Sequence, residues 1–354
     1  MINTIVALTK YDNLGASSRL RTIQYFPYLK KNNFKVKHFP LITNRQLNDK
    51  YNKNGYSIFS TIYSYLNRIK IILSSKDNEL LIIEKEAFPW LPYFFEKVFL
   101  SRKKYILDYD DAIFHNYDSH KSIIIRYLLG NKLKKLMQNS CLNICGNKYL
   151  HNYAVSAKSK ASLMIPTVVD LINYPLKKHN INKEKPIIVW IGSPSTIHYL
   201  SDISEVFKKL AKKYEFTLKI IGETNFKIKS IDIINIEWSE DNEYMELSSS
   251  DIGIMPLRDT KWELGKCGYK IIQYMACNLP VVASKIGANI DIVENNIDGI
   301  LVKNHDEWFK ALSMLLSDQS KRQEYGNNGR LKIEDKYNLE FSSSIYTEAI
   351  KEIS

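Results

Sequence analysis

Short apolar runs alternate along the whole chain with longer segments whose apolar side chains recur at helical spacing. The run 187–191 is rich in β-branched residues and lacks polar alternation, which predicts a strand buried on both faces of a parallel sheet. The apolar run 80–84 predicts another strand. Helical spacing is found in 56–75, 123–136 and 339–353. Since strands and helices alternate in both halves, the pattern predicts an α/β protein with two doubly wound parallel sheets.

The predicted domain boundaries follow breaks in this pattern. Residues 173–185 are polar and basic and carry no apolar periodicity, which predicts a linker. The linker separates a first domain, residues 1–172, from a second domain, residues 186–337. Residues 338–354 form one further predicted helix at the end of the chain.

Composition narrows the class of protein. The chain of 354 residues is 45% hydrophobic and 25% charged, which is typical of a globular protein with room for two cores. No apolar run approaches the ~20 residues of a membrane-spanning helix, and no basic segment precedes the first apolar run as in a signal peptide. The four cysteines form no complete zinc pattern. We therefore expect a cytoplasmic protein with reduced thiols.

The basic excess lies in the first half of the chain. Residues 1–170 hold 26 Lys and Arg against 12 Asp and Glu, whereas residues 171–354 hold 24 against 26. Such an excess is expected of a domain that faces an anionic membrane or a polyanion. Drift in a Lys-rich composition is the alternative explanation.

Two segments of the first half suit a membrane interface. Residues 88–95 are unusually aromatic and are followed by the basic residues 102–104, and residues 123–136 form a basic amphipathic helix. A domain core flanked by surface lysines explains the first segment equally well. A solvated basic face on a core helix explains the second.

Residues 262–284 combine several signals. Gly265 and Gly268 flank Lys266 in a polar turn, a short helix is predicted over 269–277, and a buried strand over 281–284. A helix N-terminus behind a glycine turn presents free backbone N–H groups and a partial positive charge, which suits a phosphate. Lys266 adds a full charge there, although an ordinary surface lysine is the alternative.

Other candidates follow predicted strands. Gly15 follows the first strand, and Gly192 with Ser193 follows the strand 187–191, so both turns suit a phosphate or an ordinary strand-to-helix connection. Acidic side chains leave the strand over 105–107, where they could hold an acceptor hydroxyl, move a proton or cap a helix. These are Asp108, Asp110 and Asp111, with His115 shortly after. The glycine fingerprint of dehydrogenases and the P-loop are both absent.

Four of these segments carry a family resemblance that spans nearly the whole chain. They are residues 15–19 (GASSR), 108–114 (DYDDAIF), 190–196 (WIGSPST) and 253–284, which begins GIMPL. Together they resemble glycosyltransferase family 4, enzymes of the GT-B fold. The likeness is greatest to members that build bacterial capsule, O-antigen and other surface polysaccharides.

The resemblance implies two Rossmann-like domains facing a central cleft, and retaining transfer of a sugar from a nucleotide diphosphate donor, a UDP-sugar being favoured. It implies no metal and no other cofactor. The donor is expected on the second domain and a polyprenyl-diphosphate-linked or oligosaccharide acceptor on the first, with residues 338–354 crossing back to the first domain. Location at the inner membrane face is expected through the basic first domain, and no nucleic acid is expected as a partner.

The chain departs from the family where the donor is expected to bind. Gly265 and Gln273 stand where the family has two glutamates, and the family's Arg and Lys on the diphosphate are missing after the strand 187–191. Glu263 is a possible replacement for the first glutamate, and Gln273 can still hydrogen-bond a ribose. The predicted site comprises catalytic Asp110, Asp111 and His115; diphosphate-binding Gly15, Gly192, Ser193, Lys266, Cys267, Gly268 and Tyr269; ribose-binding Gln273; and sugar-binding Glu263.

Two alternatives remain open at this point. An inverting GT-B transferase or a nucleotide-sugar epimerase would use an Asp or the His as a base. A non-catalytic partner of an active transferase would explain the two missing glutamates.

Overall fold

The computed structural model describes residues 2–53, 55–176 and 185–353. The chain forms two compact units. The first comprises Met1–Thr167, Gly265–Cys267 and Leu339–Ser354, and the second comprises Val168–Leu264 and Gly268–Asn338. Most of the predicted linker, residues 177–184, lies outside the described residues.

The first unit holds six strands and ten helices among its described residues. Its strands are β1 (Thr4–Leu8), β2 (Lys35–His38), β3 (Glu79–Glu84), β4 (Lys104–Tyr109), β5 (Leu142–Cys145) and β6 (Ser162–Met164). Its helices are α1 (Ala16–Arg21), α2 (Phe26–Lys31), α3 (Asn44–Lys53), α4 (Ile58–Ser74), α5 (Tyr93–Leu100), α6 (His115–Asp118), α7 (Ile123–Leu129), α8 (Lys132–Asn139), α9 (Lys148–Ser156) and the last helix of the chain, Leu339–Ile353. A 3₁₀ turn, Ile23–Tyr25, joins α1 to α2.

The second unit also holds six strands among its described residues. They are β7 (Ile187–Ile191), β8 (Thr217–Ile221), β9 (Asp232–Ile236), β10 (Ile252–Met255), β11 (Val281–Ser284) and β12 (Gly299–Val302). Its helices are α10 (His198–Asp202), α11 (Ser204–Ala211), α12 (Glu240–Ser248), α13 (Lys261–Leu264), α14 (Tyr269–Ala276), α15 (Ala288–Ile292), α16 (His305–Ser317) and α17 (Gln319–Lys336), so that Leu339–Ile353 is α18. Its 3₁₀ turns are Leu171–Asn173 and Pro194–Thr196.

All six strands of the first sheet run parallel in the order β2-β1-β3-β4-β5-β6. Right-handed connections place α4, α5, α8 and α9 on one face of this sheet and α2 on the other. The packing agrees, because α4 contacts α5, α5 contacts α8, and α8 contacts α9, whereas α2 contacts α18. The chain changes direction between β1 and β3, so the loops after these strands border a ligand-binding crevice.

The second sheet is also entirely parallel, in the order β12-β11-β10-β7-β8-β9. This is the order of dinucleotide-binding sheets, with the change of direction between β7 and β10. Successive residues of β7 enter different cores. Ile188 and Trp190 pack in one hydrophobic cluster, whereas Val189 and Ile191 pack in another. Burial on both faces explains why β7 lacks polar alternation.

The two sheets confirm the predicted architecture, but one predicted helix is divided. Residues 123–136 form two helices, α7 and α8, separated at Gly130 and Asn131. Glycine and asparagine are poor helix formers, and Asn131 occupies the N-cap position of α8. None of the helices in the described part of the chain is both long and apolar enough to cross a membrane.

Candidate functional site

A lysine that the sequence prediction missed lies at the point where the second sheet changes direction. The Lys270 ammonium is 4.3 Å from the centroid of the Trp190 ring at the end of β7. A Cβ atom added to Gly192 would lie 2.6 Å from Lys270 Nζ, so glycine is the residue that leaves room for this ammonium. Lys270 belongs to the first turn of α14. Because the sequence already predicted that a phosphate binds at the N-terminus of this helix, a lysine in its first turn could have been predicted as a contact.

The backbone around Lys270 also suits an anion. Gly268 is the N-cap of α14 with φ 66°, and Tyr269 begins this eight-residue helix. The N–H groups in the first turn of a helix point towards its N-terminus and carry partial positive charge. Ser193 is exposed, and its Oγ is 2.8 Å from Ser195 Oγ. The second unit contains Lys270 together with four of the predicted diphosphate-binding residues, namely Gly192, Ser193, Gly268 and Tyr269.

Glu263 is buried and held by two hydroxyl groups. Tyr199 Oη donates to Glu263 Oε1 at 2.7 Å, and Thr260 Oγ1 donates to the other oxygen. Tyr199 lies on α10, shortly after the turn that contains Gly192 and Ser193. The hydroxyl groups fix the Glu263 carboxylate relative to α10.

Gln273 is also buried, and its amide is engaged with a carboxylate from another helix. Its Nε2 donates to Glu243 Oε1 at 2.5 Å and contacts Tyr174 Oη at 3.0 Å. Tyr174 Oη donates to Glu243 Oε1 at 2.8 Å, and Trp238 Nε1 donates to Glu243 Oε2 at 2.7 Å. Burial raises the pKa of Tyr174 well above its usual value, so its hydroxyl stays a donor. A carboxylate is therefore present beside position 273, but it comes from α12.

The segment Gly265–Cys267 packs within the first unit. A Cβ atom on Gly265 would lie 2.5 Å from the Ala112 backbone nitrogen, so no side chain fits at Gly265 without moving backbone. Cys267 Sγ donates to the Asp110 carbonyl oxygen at 3.0 Å, and Asn147 Nδ2 donates to the Lys266 carbonyl oxygen at 3.0 Å. Burial raises the pKa of the Cys267 thiol, which keeps it neutral.

Asp110 and Asp111 are neutralised by lysines. Lys85, which follows β3 with φ 64°, places Nζ 2.7 Å from Asp110 Oδ1 and 3.7 Å from Asp111 Oδ2. Lys266 Nζ donates to Asp111 Oδ1 at 3.0 Å, and Ser17 Oγ donates to Asp110 Oδ2 at 2.5 Å. Burial opposes the charge on Asp110, but Lys85 and Ser17 outweigh it and lower the pKa of Asp110 to about 2. Asp110 is therefore a permanent anion and a weak base.

Both ring nitrogens of His115 have partners. Nδ1 is 2.8 Å from Asp118 Oδ1, and Nε2 is 2.7 Å from Tyr149 Oη. Because a carboxylate only accepts, the partners assign the proton to Nδ1 and leave Nε2 to accept from Tyr149. Tyr149 was not predicted from the sequence, because it lies 34 residues away on α9.

Gly15 is the N-cap of α1, and a buried carboxylate contacts both this helix and the loop before it. Ser18 Oγ donates to Glu84 Oε2 at 2.5 Å, and the Lys10 backbone N–H donates to the same oxygen at 2.8 Å. Glu84 ends β3, so it couples the loop after β1 to the neighbouring strand. The crevice between β1 and β3 therefore has a rigid border.

Asp108 has a role different from that of the other two aspartates. Its carboxylate accepts from Arg21 Nε at 2.9 Å and from Arg21 Nη2 at 3.0 Å, and both side chains are buried. Arg21 Nη1 also donates to the Ile165 carbonyl oxygen at 2.7 Å. The pair therefore ties α1 to β4 and to the chain beyond β6. In the described residues, no group of three or more His, Cys, Asp or Glu is arranged to hold a metal ion.

Comparison with known proteins finds similarity over part of the chain. Residues 175–332 match the model of Glycosyl transferases group 1. "Glucosyltransferase 3" of Streptococcus parasanguinis is 24% identical over 193 residues, which cover 50% of this chain and 58% of the relative. "Capsular polysaccharide biosynthesis glycosyltransferase CapM" of Staphylococcus aureus is 26% identical over 185 residues, which cover 49% and 47%. The chain thus spans about half the length of the curated relatives it matches.

Solved structures resemble the chain over nearly its whole length. Sucrose-phosphate synthase (tll1590) from Thermosynechococcus elongatus has a TM-score of 0.72 at 13% identity, with 99% of each chain covered. Anabaena Alr3699/HepE in complex with UDP and glucose has a TM-score of 0.70 at 14% identity, again with 99% of each chain covered. These likenesses confirm the two-domain α/β fold of GT-B proteins. Within that fold, residues 175–332 are the part of the chain that is similar to the group 1 glycosyl transferases.

Proposed function

We propose that this protein is a retaining glycosyltransferase of family 4 that moves a sugar from a nucleotide diphosphate donor, a UDP-sugar being favoured. The proposal rests on one observation above all. A lysine ammonium, a glycine turn and the N-terminus of α14 meet where the second sheet changes direction, between β7 and β10. The family match covers this region, and a structure of the same fold was solved with UDP and glucose.

The proposed chemistry depends on stabilising the leaving group. Negative charge develops on the diphosphate as the bond to the sugar breaks, and a cation with fixed N–H groups stabilises that state selectively. Lys270, Gly268 and Tyr269 would supply these groups, with Lys266 as a further candidate cation. Glu263 would contact the sugar. We expect no metal and no other cofactor in this reaction.

The contacts of the predicted catalytic residues in the first unit favour retention. Asp110 is held as an anion with its pKa lowered to about 2, and the nitrogens of His115 are both engaged. Asp110, Asp111 and His115 would therefore orient the acceptor, while the departing phosphate takes the acceptor proton. An inverting transferase or an epimerase would need one of these residues as a strong base.

The proposed acceptor is a polyprenyl-diphosphate-linked saccharide used in bacterial surface polysaccharide synthesis, such as capsule or O-antigen. The relative CapM is named for capsular polysaccharide biosynthesis. The basic excess of residues 1–170 supports work at the anionic inner face of the membrane. Nucleic acid is not a proposed partner.

A panel of nucleotide sugars tests the proposal. The purified chain is incubated with UDP-, GDP- and dTDP-sugars and a lipid-linked saccharide, and release of the nucleoside diphosphate is measured. We expect turnover with a UDP-sugar, and NMR of the product should show that the anomeric configuration is retained. A product with inverted anomeric configuration would exclude the retaining mechanism. No turnover with any donor would favour a non-catalytic partner of an active transferase.

We also propose that Glu243 supplies the carboxylate that the family carries at position 273. Gln273, Tyr174 and Trp238 all donate to Glu243, and together they hold the carboxylate beside α14. A carboxylate oxygen accepts more than one hydrogen bond, so a ribose hydroxyl can share it. Gln273 would then bind the ribose together with Glu243.

Glu243→Gln should raise the KM for the UDP-sugar about tenfold while kcat changes little, because a hydrogen bond to a charged group is lost away from the reacting bond. Steady-state kinetics with varied donor concentration measures both constants. Glu240→Gln is the matched control, since Glu240 is exposed on the first turn of the same helix. An unchanged KM in Glu243→Gln would exclude the ribose contact.

A further inference from the structure

The first two turns of α4 expose apolar side chains. Ile58, Ile62 and Tyr63 are all exposed, and Phe59 is 86% exposed. No charged residue occurs between positions 54 and 67. Only later in the helix do buried positions appear, at Arg68 and Ile72. This half of α4 therefore presents an apolar, uncharged surface to the surroundings of the first unit.

Neighbouring helices extend this surface. We call it the α4/α5/α7 apolar surface, and its members are Ile58, Phe59, Ile62, Tyr63, Leu66, Phe94, Val98, Ile123, Ile124, Tyr127 and Leu128. Tyr127 is 87% exposed. In the described part of the second unit, exposed large apolar side chains lie on separate elements instead, as for Ile234 on β9 and Leu331 on α17. Single exposed apolar residues need no explanation, whereas a cluster of this kind marks an interaction site.

The helices of this surface are joined side by side. α4 contacts α5, α5 contacts α8, and α7 contacts α8. Tyr65 Oη donates to the Pro89 carbonyl oxygen at 2.7 Å, which ties α4 to the loop before α5. Asn139 Nδ2 donates to Tyr93 Oη at 2.9 Å, which ties α8 to α5. The apolar side chains therefore belong to one packed layer.

The exposed charged side chains of this helical layer are all positive. Among α4, α5, α7 and α8, the one acidic residue is Glu96, which is buried beside Lys132. No Asp or Glu occurs between positions 119 and 169. The exposed charges on these helices are cations, at Lys70, Lys97, Arg126 and Lys135. An anionic surface complements this pattern, whereas an ordinary protein partner would face unpaired cations around an uncharged apolar helix.

We infer that the α4/α5/α7 apolar surface docks on an anionic lipid bilayer. Phe59 and the isoleucines of α4 would enter the boundary between headgroups and acyl chains, and the cations would reach the phosphates. Trp90 and Tyr127 have the interfacial character that such docking favours. The centroids of the Trp90 and Tyr117 rings are 5.1 Å apart, and Tyr117 belongs to α6, the helix that begins at His115. Docking would therefore hold the acceptor-side residues near the lipid. This last consequence rests on the proposed function, whereas the docking does not.

Vesicle co-sedimentation of the full chain tests the docking. We expect binding to phosphatidylcholine vesicles that contain phosphatidylglycerol, weaker binding at high salt, and little binding to phosphatidylcholine alone. The double variant Phe59→Ser/Ile62→Ser should weaken binding of the protein to the vesicles by about tenfold or more, because two apolar side chains that would enter the bilayer are lost. The matched control is Ile234→Ser/Leu331→Ser, which changes exposed apolar side chains of the second unit and should bind as the wild type does.

Each outcome decides the proposal. Wild-type vesicle binding by Phe59→Ser/Ile62→Ser, or equal binding to neutral and anionic vesicles, would overturn it. A wild-type dimer in solution that this double variant abolishes would identify a second copy of the chain as the occupant instead. Release of UDP from a UDP-sugar is measured on the same samples. If wild-type protein releases UDP but does not bind vesicles, the docking proposal fails and the proposed function is unaffected. If it binds vesicles but releases no UDP, the proposed function fails and the docking proposal is unaffected.

Discussion

Lys270→Met is expected to reduce kcat/KM for the UDP-sugar by about 100-fold or more, because a preorganised positive charge at the leaving diphosphate is lost. Methionine keeps an unbranched apolar stem but lacks the terminal ammonium, so the contact with Trp190 survives in part. Most of the loss should fall on kcat, since the charge matters most when the bond to the sugar breaks. The thermal shift caused by free UDP should also shrink.

The comparison with Lys266 makes this experiment decisive. Lys266 is ion-paired with Asp111 in the first unit, whereas Lys270 lies beside Gly192 in the second. We therefore expect a smaller loss of kcat/KM in Lys266→Met than in Lys270→Met, and partial rescue in Lys270→Arg. Wild-type kinetics in Lys270→Met together with a large loss in Lys266→Met would assign the diphosphate charge to Lys266.

Arg21→Met should lower the free energy of unfolding of the first unit by about 3–5 kcal/mol, because it leaves the buried Asp108 carboxylate without its partner. Hydrogen exchange of peptides from β1 and β4, measured against urea concentration, reports this unit separately from the second. The double variant Arg21→Met/Asp108→Leu should recover most of the loss, because it removes the unpaired charge as well. A single variant as stable as the wild type would show that the pair adds nothing to stability.

The loss in Arg21→Met should depend on pH. Burial raises the pKa of Asp108, and Arg21 is the group that opposes this rise. The pKa of Asp108 is already raised to about 6 with Arg21 in place, so without Arg21 the folded-state pKa lies still further above the unfolded value. A group of this kind stabilises the fold at low pH, and that stability is lost as the pH rises through the folded pKa. Arg21→Met should therefore be less destabilised at acidic pH than at neutral pH.

Local pattern was sufficient to predict the architecture of this chain. The strand predicted at 187–191 is β7, and the helix predicted at 339–353 is α18, with the same bounds. Both depend on interactions encoded nearby, namely two-sided burial in one case and a repeating apolar face in the other. Gly192 and Gly268 were also predicted from the sequence, because a glycine after a strand or before a helix marks a turn at which a ligand can approach the backbone.

The pairing of charged groups was decided by the tertiary structure. Three neighbouring aspartates look equivalent in the sequence, yet Asp108 is buried with Arg21 while Asp110 and Asp111 share Lys85. These partners are separated by many residues along the chain, and no periodicity connects them. Their roles follow from the strand order, which brings the ends of β1, β3 and β4 together.

By itself, the sequence determined two parallel α/β sheets, the glycine turns at their edges and a basic first half. The tertiary structure decided that Lys270 is the cation beside Gly192, that Glu243 stands beside Gln273, and that the first turns of α4 are exposed. The physical reason is the same in each case. Periodicity reports which face of an element is apolar, whereas contacts and exposure depend on which distant elements pack against that face.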